Sequence, residues 1–277
     1  MKDLKRAAFV EQEFQPYAQA DASAFVEWLL RKLFEIHGNV NFEWITQFEA
    51  LFRILTVPFD TCRVCAIVNE AAVEAATGLT INVRPNDNTV DEAFQNFIEN
   101  DTDAEYQCRS KTCKGANRFK ERRWAVRAAP RILRVTLNIF AYDVNAQYVR
   151  KIMHALTIGE ILDLTQYQEC TVVPLRYRLS AVIPHRGNSA DAGHYIANVR
   201  SQGPNPLYNI NDTRVESISG AQFTSNPHLL RGGQSARFQA YILTYIRDEA
   251  PLEQHLESTN KMVATDLKID RGKKPVV

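Results

Sequence analysis

The feature that most constrains this chain is the stretch from Tyr177 to Asp212, where three strand-like runs are joined by two polar, turn-rich connections. Apolar residues alternate over 177–183, and Pro184 with His185 is expected to break that run. A glycine-bearing loop follows. His194 then leads a second strand, over 195–199, after Gly193. Beyond a turn built from Gly203, Pro204, Asn205 and Pro206, a third short strand ends at Asn211 and Asp212. Hairpin-linked strands of this kind can bring His194 and Asn211 side by side.

An imidazole beside an amide is the base half of a thiol hydrolase. The ring takes the proton of a thiol, and the amide holds the other ring nitrogen in the right tautomer. A glycine before the histidine leaves room for a substrate backbone. A lone histidine would more simply be a satisfied core residue, but here several residues fall in order. The run from Ala181 through Pro184, His185 and Gly187, then Gly193-His194-Tyr195, then Tyr208 with Asn211 and Asp212, resembles the histidine box of the ubiquitin-specific proteases, a family of cysteine deubiquitinases. That resemblance implies a papain-like α+β fold with thumb, fingers and palm. It makes His194 the general base, Asn211 its orienting residue and Asp212 a backup beside it, with Gly193 and Tyr195 lining the substrate groove.

The chain has 277 residues and 45% apolar content, enough for one large core or two modest domains. Lys+Arg 33 against Asp+Glu 32 leaves a net charge of +1, so no global field argues for nucleic acid or an anionic membrane as partner, neither is expected, and any electrostatic recognition must be local. No apolar run reaches the roughly 18 residues that a membrane helix needs. Five cysteines, four of them in two close pairs, suit a reducing compartment, cytoplasm or nucleus, and a metal better than a disulfide frame.

Taken in order, Asp21 is placed to cap a helix over 22–37, with Phe25, Trp28, Leu29 and Leu33 at helical spacing and Gly38 as its stop. Gln19, Asp21 and Phe25 resemble what remains of the family's second box, in which acidic residues face the basic tail of ubiquitin. Gln19 and Asp21 are therefore substrate-binding candidates, and for Asp21 a helix cap is an equally good and compatible reading. Strand-like segments at 66–73 and 78–83 precede a capping box at Thr89 and Glu92 that opens a helix to about Asn100.

Cys62 and Cys65, then Cys108 and Cys113, can close a tetrahedral zinc site with no open position, hence a structural one. The family often carries such a site at the tip of its fingers. The alternative is four reduced thiols left after loss of the metal. Cys170, ahead of a buried-looking strand, reads as core. Strands are expected over 119–127, 130–140 and 236–246, and Val135, Leu137 and Ile139 share one face. His37, His154 and His185 read as bland structural residues, and the Arg231-Gly232-Gly233 run as a flexible loop. The resemblance divides the chain into a partial thumb (1–50), fingers (51–128), a palm with the histidine box (129–250) and a polar, disordered tail (251–277).

The family's nucleophilic cysteine lies early in the domain, in a Gly-Asn-x-Cys-Tyr box at a helix N-terminus that lowers the thiol pKa. No cysteine precedes Gln19, and Cys62 and Cys65 belong to the metal knuckle. The resemblance covers residues 17–248, so the chain by itself is expected not to turn over and to be poorly soluble. Two readings stay open: a truncated piece of a deubiquitinase that cleaves after ubiquitin's terminal glycine, favoured by the retained His194 and Asn211, or a catalytically silent ubiquitin-binding or scaffold module. An unrelated zinc protein with chance motifs would lack a contact between His194 and Asn211.

Overall fold

The structure is a computed structural model that describes residues 14, 20–38, 42–99, 108, 110, 113, 120–143, 147–152, 156–170, 173–187, 192–200, 207–218 and 238–248. Gln19, His154, the Arg-Gly-Gly run and the 251–277 tail lie outside them. Helix α1 (Ala22–Gly38) begins where the sequence places it, because the Asp21 carboxylate accepts the Ala24 amide at 2.8 Å. Its buried stripe differs from the expected one. Trp28 and Leu30 are buried while Leu33 is exposed, since the helix is turned by polar contacts: Arg134 donates to the Ser23 carbonyl and hydroxyl and to Glu27, and Ser23 meets Thr136 at 2.9 Å. Helix α2 (Phe42–Phe52) packs Phe48 against Phe34 of α1, with ring centroids 5.4 Å apart.

The chain then enters β1 (Ile54–Cys62), which pairs on one edge with two short strands, β2 (Val68–Glu70) and β3 (Glu74–Ala76). Pro58 sits inside β1 without harm. Its carbonyl accepts from Ala71, so its missing donor faces the gap between β2 and β3. β4 (Leu79–Asn82) leaves this ribbon for the main sheet, and α3 (Val90–Glu99) follows. The capping box is formed: Thr89 Oγ1 accepts the Glu92 amide at 3.0 Å, and Glu92 accepts the amides of Asn88 and Thr89. β5 (Lys120–Ala128) then covers the other edge of β1 from Leu55 to Cys62.

The remaining strands are β6 (Ile132–Asn138), a small hairpin of β7 (Phe140–Asp143) and β8 (Tyr148–Lys151), β9 (Ile161–Asp163), β10 (Arg176–Arg186), β11 (His194–Tyr195), β12 (Ala197–Arg200), β13 (Leu207–Asn211), β14 (Arg214–Ile218) and β15 (Phe238–Arg247). Apart from the hairpin they join β4 in a nine-stranded sheet ordered β14-β13-β12-β10-β15-β6-β4, with β9 and β11 also paired to β10. All its pairs are antiparallel except β4 with β6. Within 51–128, β4 joins the large sheet through β6, and α3 packs on both β4 and β5.

That sheet holds the core. Leu133, Val135 and Leu137 of β6 and Ile242, Leu243 and Tyr245 of β15 are fully buried, and α3 lays Val90, Ala93, Phe94 and Ile98 into the same cluster. Each buried Val, Leu, Ile or Phe side chain among them contributes about 1.5–3 kcal/mol. β6 is covered on both faces, with Arg134 and Thr136 buried under α1, so the single apolar face expected from its sequence is half of what the strand buries.

Two strand boundaries differ from expectation for physical reasons. β10 does not stop at Pro184 but runs through His185 to Arg186, because a register shift between Ile183 and Pro184 absorbs the residue that cannot donate. The long 130–140 run divides at Ile139, whose carbonyl accepts from Ile152 to start the β7–β8 hairpin. Removing the α3 cap tests the local argument. Thr89→Ala is expected to lower unfolding free energy by about 1 kcal/mol, measured by urea denaturation with an unchanged m-value.

Candidate active site

His194 opens β11 and Asn211 closes β13. The β12–β13 register pairs Ala197 with Ile210, so Asn211 falls opposite Ile196, diagonal to His194 and on its face. The ring and the amide meet: His194 Nε2 lies 2.7 Å from Asn211 Oδ1. A carbonyl oxygen only accepts, so Nε2 carries the hydrogen and Nδ1 keeps its lone pair for a proton. Asp212 is the next residue but sits exposed in the turn to β14 with φ 52, a left-handed position that aspartate tolerates. Among the described residues it makes no bond to the imidazole. Asn211 holds the ring.

The surroundings of His194 are built by residues that the sequence reading left bland. His185 is 1% exposed, and its ring lies 4.8 Å from that of Tyr195, 5.8 Å from Phe140 and 6.3 Å from Tyr241. Burial, with the nearby charge of Lys151 adding to it, pushes His185 down to about 4. Gly193 packs against that ring. A Cβ there would meet His185 Nε2 at 1.9 Å and the Arg186 carbonyl at 2.5 Å, so the first demand for glycine is internal rather than room for a substrate.

Asp21 closes the other side. One oxygen caps α1, and the other accepts the Tyr241 hydroxyl at 2.5 Å and the Tyr195 hydroxyl at 3.3 Å. Burial, with the adjacent carboxylate, pushes Tyr195 up to about 12, and the Tyr241 phenol is also raised, by burial and then by its bond to Asp21. Both phenols are therefore neutral donors. Asp21 thus fastens α1 to the two strands behind His194, and its oxygens are committed within the chain. No motif in the linear sequence joins positions so far apart.

The four paired cysteines converge at the end of the β1–β5 ribbon. Their sulfurs all lie within 4.8 Å of one another, with Cys62 to Cys113 at 3.9 Å and Cys65 to Cys108 at 3.6 Å. A tetrahedron of Zn–S bonds near 2.3 Å has edges of about 3.8 Å, so the cluster has the size that zinc requires and is far too open for disulfides. The turn after β1 is tight, with Ala66 at φ 56 and its amide bonded to the Cys62 carbonyl. Amides of Cys65 and Val64 push the Cys62 thiol down to about 6, which favours the thiolate that binds metal. Cys170, expected in the core, is exposed: the preceding residues bridge to β5 at Val126 and turn the chain outward.

A family model described as ubiquitin carboxyl-terminal hydrolase matches residues 3–245. The chain belongs to that family. As a ubiquitin-specific protease family member it has the expected α+β fold, and the cysteine cluster answers to the expected zinc. It is 29% identical over 194 residues to ubiquitin carboxyl-terminal hydrolase 48 of Danio rerio, covering 64% of this chain and 18% of that protein. Over 247 residues it is 27% identical to ubiquitin carboxyl-terminal hydrolase 20 of Arabidopsis thaliana, covering 87% of this chain and 32% of that protein. The chain therefore spans less than a third of the length of either. Its fold matches a solved SAGA DUB module of Ubp8, Sgf11, Sus1 and Sgf73 bound to monoubiquitin, with TM-score 0.72 and 20% identity over 90% of this chain and 53% of that one.

Within this ubiquitin-specific protease frame, Tyr241, His185 and Lys151 are the residues that sequence reading missed as members of the site. The only signal was the place of His185 inside the run that resembles the histidine box, and no local pattern marks Tyr241 or Lys151. Two measurements test the description. Removing zinc with a chelator, or Cys65→Ser, is expected to abolish stoichiometric metal by elemental analysis and to lower the melting temperature of the chain. His185 gives a pH signature: the unfolded state takes up its proton below about 6.5 while the folded state resists to about 4. Stability should therefore fall as pH drops through that window, and His185→Gln should flatten the decline in a denaturant series.

Proposed function

We propose that this chain supplies the base half and the palm and fingers of a thiol-dependent deubiquitinase, which hydrolyses the bond after ubiquitin's C-terminal glycine. The observation that carries the reading is the 2.7 Å bond from His194 to Asn211, which holds Nε2 and, among the described residues, leaves Nδ1 to face a thiol. In that reaction His194 takes the proton of a cysteine thiol, the thiolate attacks the carbonyl, and the imidazolium returns the proton to the leaving amine. Asn211 keeps the tautomer. Among the described residues no cysteine sulfur is bonded to His194, so in this reading the thiol is supplied by a segment outside them.

Ubiquitin or a ubiquitinated protein is the proposed partner. Gly193 and Tyr195 would flank its extended tail, with Asp21 beside it; because Asp21 is bonded internally, it serves to shape the groove. The family's thumb, fingers and palm correspond to residues 1–50, 51–128 and 129–250 in this reading. No helix among the described residues is long and apolar enough to cross a membrane. Free cysteines agree with cytoplasm or nucleus. A silent ubiquitin-binding module is less favoured, since binding alone does not need the imidazole in the basic tautomer.

The test joins the chain to an amino-terminal segment bearing the family's cysteine box and measures release of a fluorophore from the C-terminus of ubiquitin. Turnover is expected, and His194→Ala should lower kcat by roughly 10²–10⁴ while ubiquitin still binds. Unchanged turnover in H194A would remove His194 from the mechanism.

A further inference from the structure

Lys151 is a lysine almost without solvent access, 6% exposed, at the end of β8. Its ammonium donates to the His185 carbonyl at 2.9 Å and the Gly187 carbonyl at 2.9 Å, and stands 3.1 Å from His185 Nδ1. Those acceptors bracket Arg186, the residue that pairs with His194 across β10 and β11. The hairpin that carries the lysine is itself held. Phe140 pairs with Lys151 and packs on the His185 ring, and Gln239 of β15 donates to the Ile152 carbonyl at 2.6 Å. Gln239 is in turn the β15 partner of His185.

Burying an ammonium costs several kcal/mol unless its donors are used, and here each of the three has an acceptor. The arrangement does more than satisfy the charge. With Nδ1 accepting from Lys151, the His185 ring is set with Nε2 against Gly193, where no larger residue fits. Resting on the reading of His194 as the base, we propose that Lys151 is a positioning residue for His194: it clamps the carbonyls at the end of β10 and fixes the His185 ring, which together hold the Gly193-His194 backbone against Asn211. It touches neither substrate nor the reacting atoms, and acts through His185 and the backbone.

Burial pulls Lys151 down to about 8, so its charge, and the third donor that faces His185 Nδ1, can be removed in an accessible pH range. Among the described residues its titratable partner is His185, which in turn faces the phenols of Tyr195 and Tyr241 and the charge of Asp21.

The experiment follows the His194 ring in the chain as it stands, by nitrogen-edited NMR with Asn211→Ala as the control that removes its hydrogen bond. In the unsubstituted chain the Nε2 hydrogen should exchange slowly with water. Lys151→Met is expected to keep the zinc and the far-ultraviolet circular dichroism yet speed that exchange by about tenfold or more, the scale of losing one charge-assisted hydrogen bond. Lys151→Arg should restore much of the protection. Unchanged exchange in a folded K151M protein overturns the proposal and leaves the assignment of His194 untouched. Should K151M not fold, raising the pH of the unsubstituted chain from about 7 to 9 deprotonates the lysine instead. Exchange should then climb more steeply than first order in hydroxide, and a first-order rise overturns the clamp.

Discussion

The pairing of β10 with its neighbours is the constraint on which the rest of the structure depends. β10 lies between β12 and β15, and β9 and β11 also pair with it at its two ends. Its registry decides where His194 falls. A strand shifted by one residue would carry every side chain to the opposite face, so the burial of Tyr177, Leu179 and Val182 on one side is also what aims the chain at the site on the other. The irregularities near Leu179 and at Pro184 belong to this design, since a bulge both increases local twist and accommodates a residue with no amide hydrogen.

Around that strand the molecule uses hydrogen-bonded charged side chains in two places, for two purposes. Asp21 collects a helix amide and two tyrosine hydroxyls from β11 and β15, which ties α1 to the sheet by directional bonds that apolar packing cannot supply. Lys151 approaches from the opposite element, the β7–β8 hairpin, and gathers carbonyl oxygens. Lys151 is buried and tolerable only because its partners are in place, whereas Asp21 is half-buried. His185 stands between them as a neutral ring. Its neighbours include one charge of each sign, yet burial dominates and keeps the proton off.

The ribbon of β1 and β5 is held by different means. It has edge strands, exposed valines at 64, 68 and 73, and a terminal turn that could not hold its shape through core packing. Four sulfurs at tetrahedral spacing provide what the missing core does not, because metal binding constrains the turn directly. Ion pairs along the ribbon, such as Arg122 with Asp60 and Arg127 with Glu70 and Glu169, add orientation more than stability where they face water.

Local chemistry was fully legible in the sequence: the Asp21 cap, the Thr89–Glu92 box, the paired cysteines and the convergence of His194 with Asn211 all rest on short spacings that a strand, turn or helix converts directly into geometry. Burial was less so. Cys170 and Leu33 face outward, and β6 is covered on both faces, because those outcomes depend on which distant element docks and at what angle. Pro184 misled for a related reason: whether a proline ends a strand depends on a bulge that only the paired strand can allow. The links from Asp21 to Tyr195 and Tyr241, and from Lys151 to His185, join positions remote in the chain through single polar atoms. Periodicity carries no information about such contacts; they exist only once sheet, helix and hairpin exclude water together.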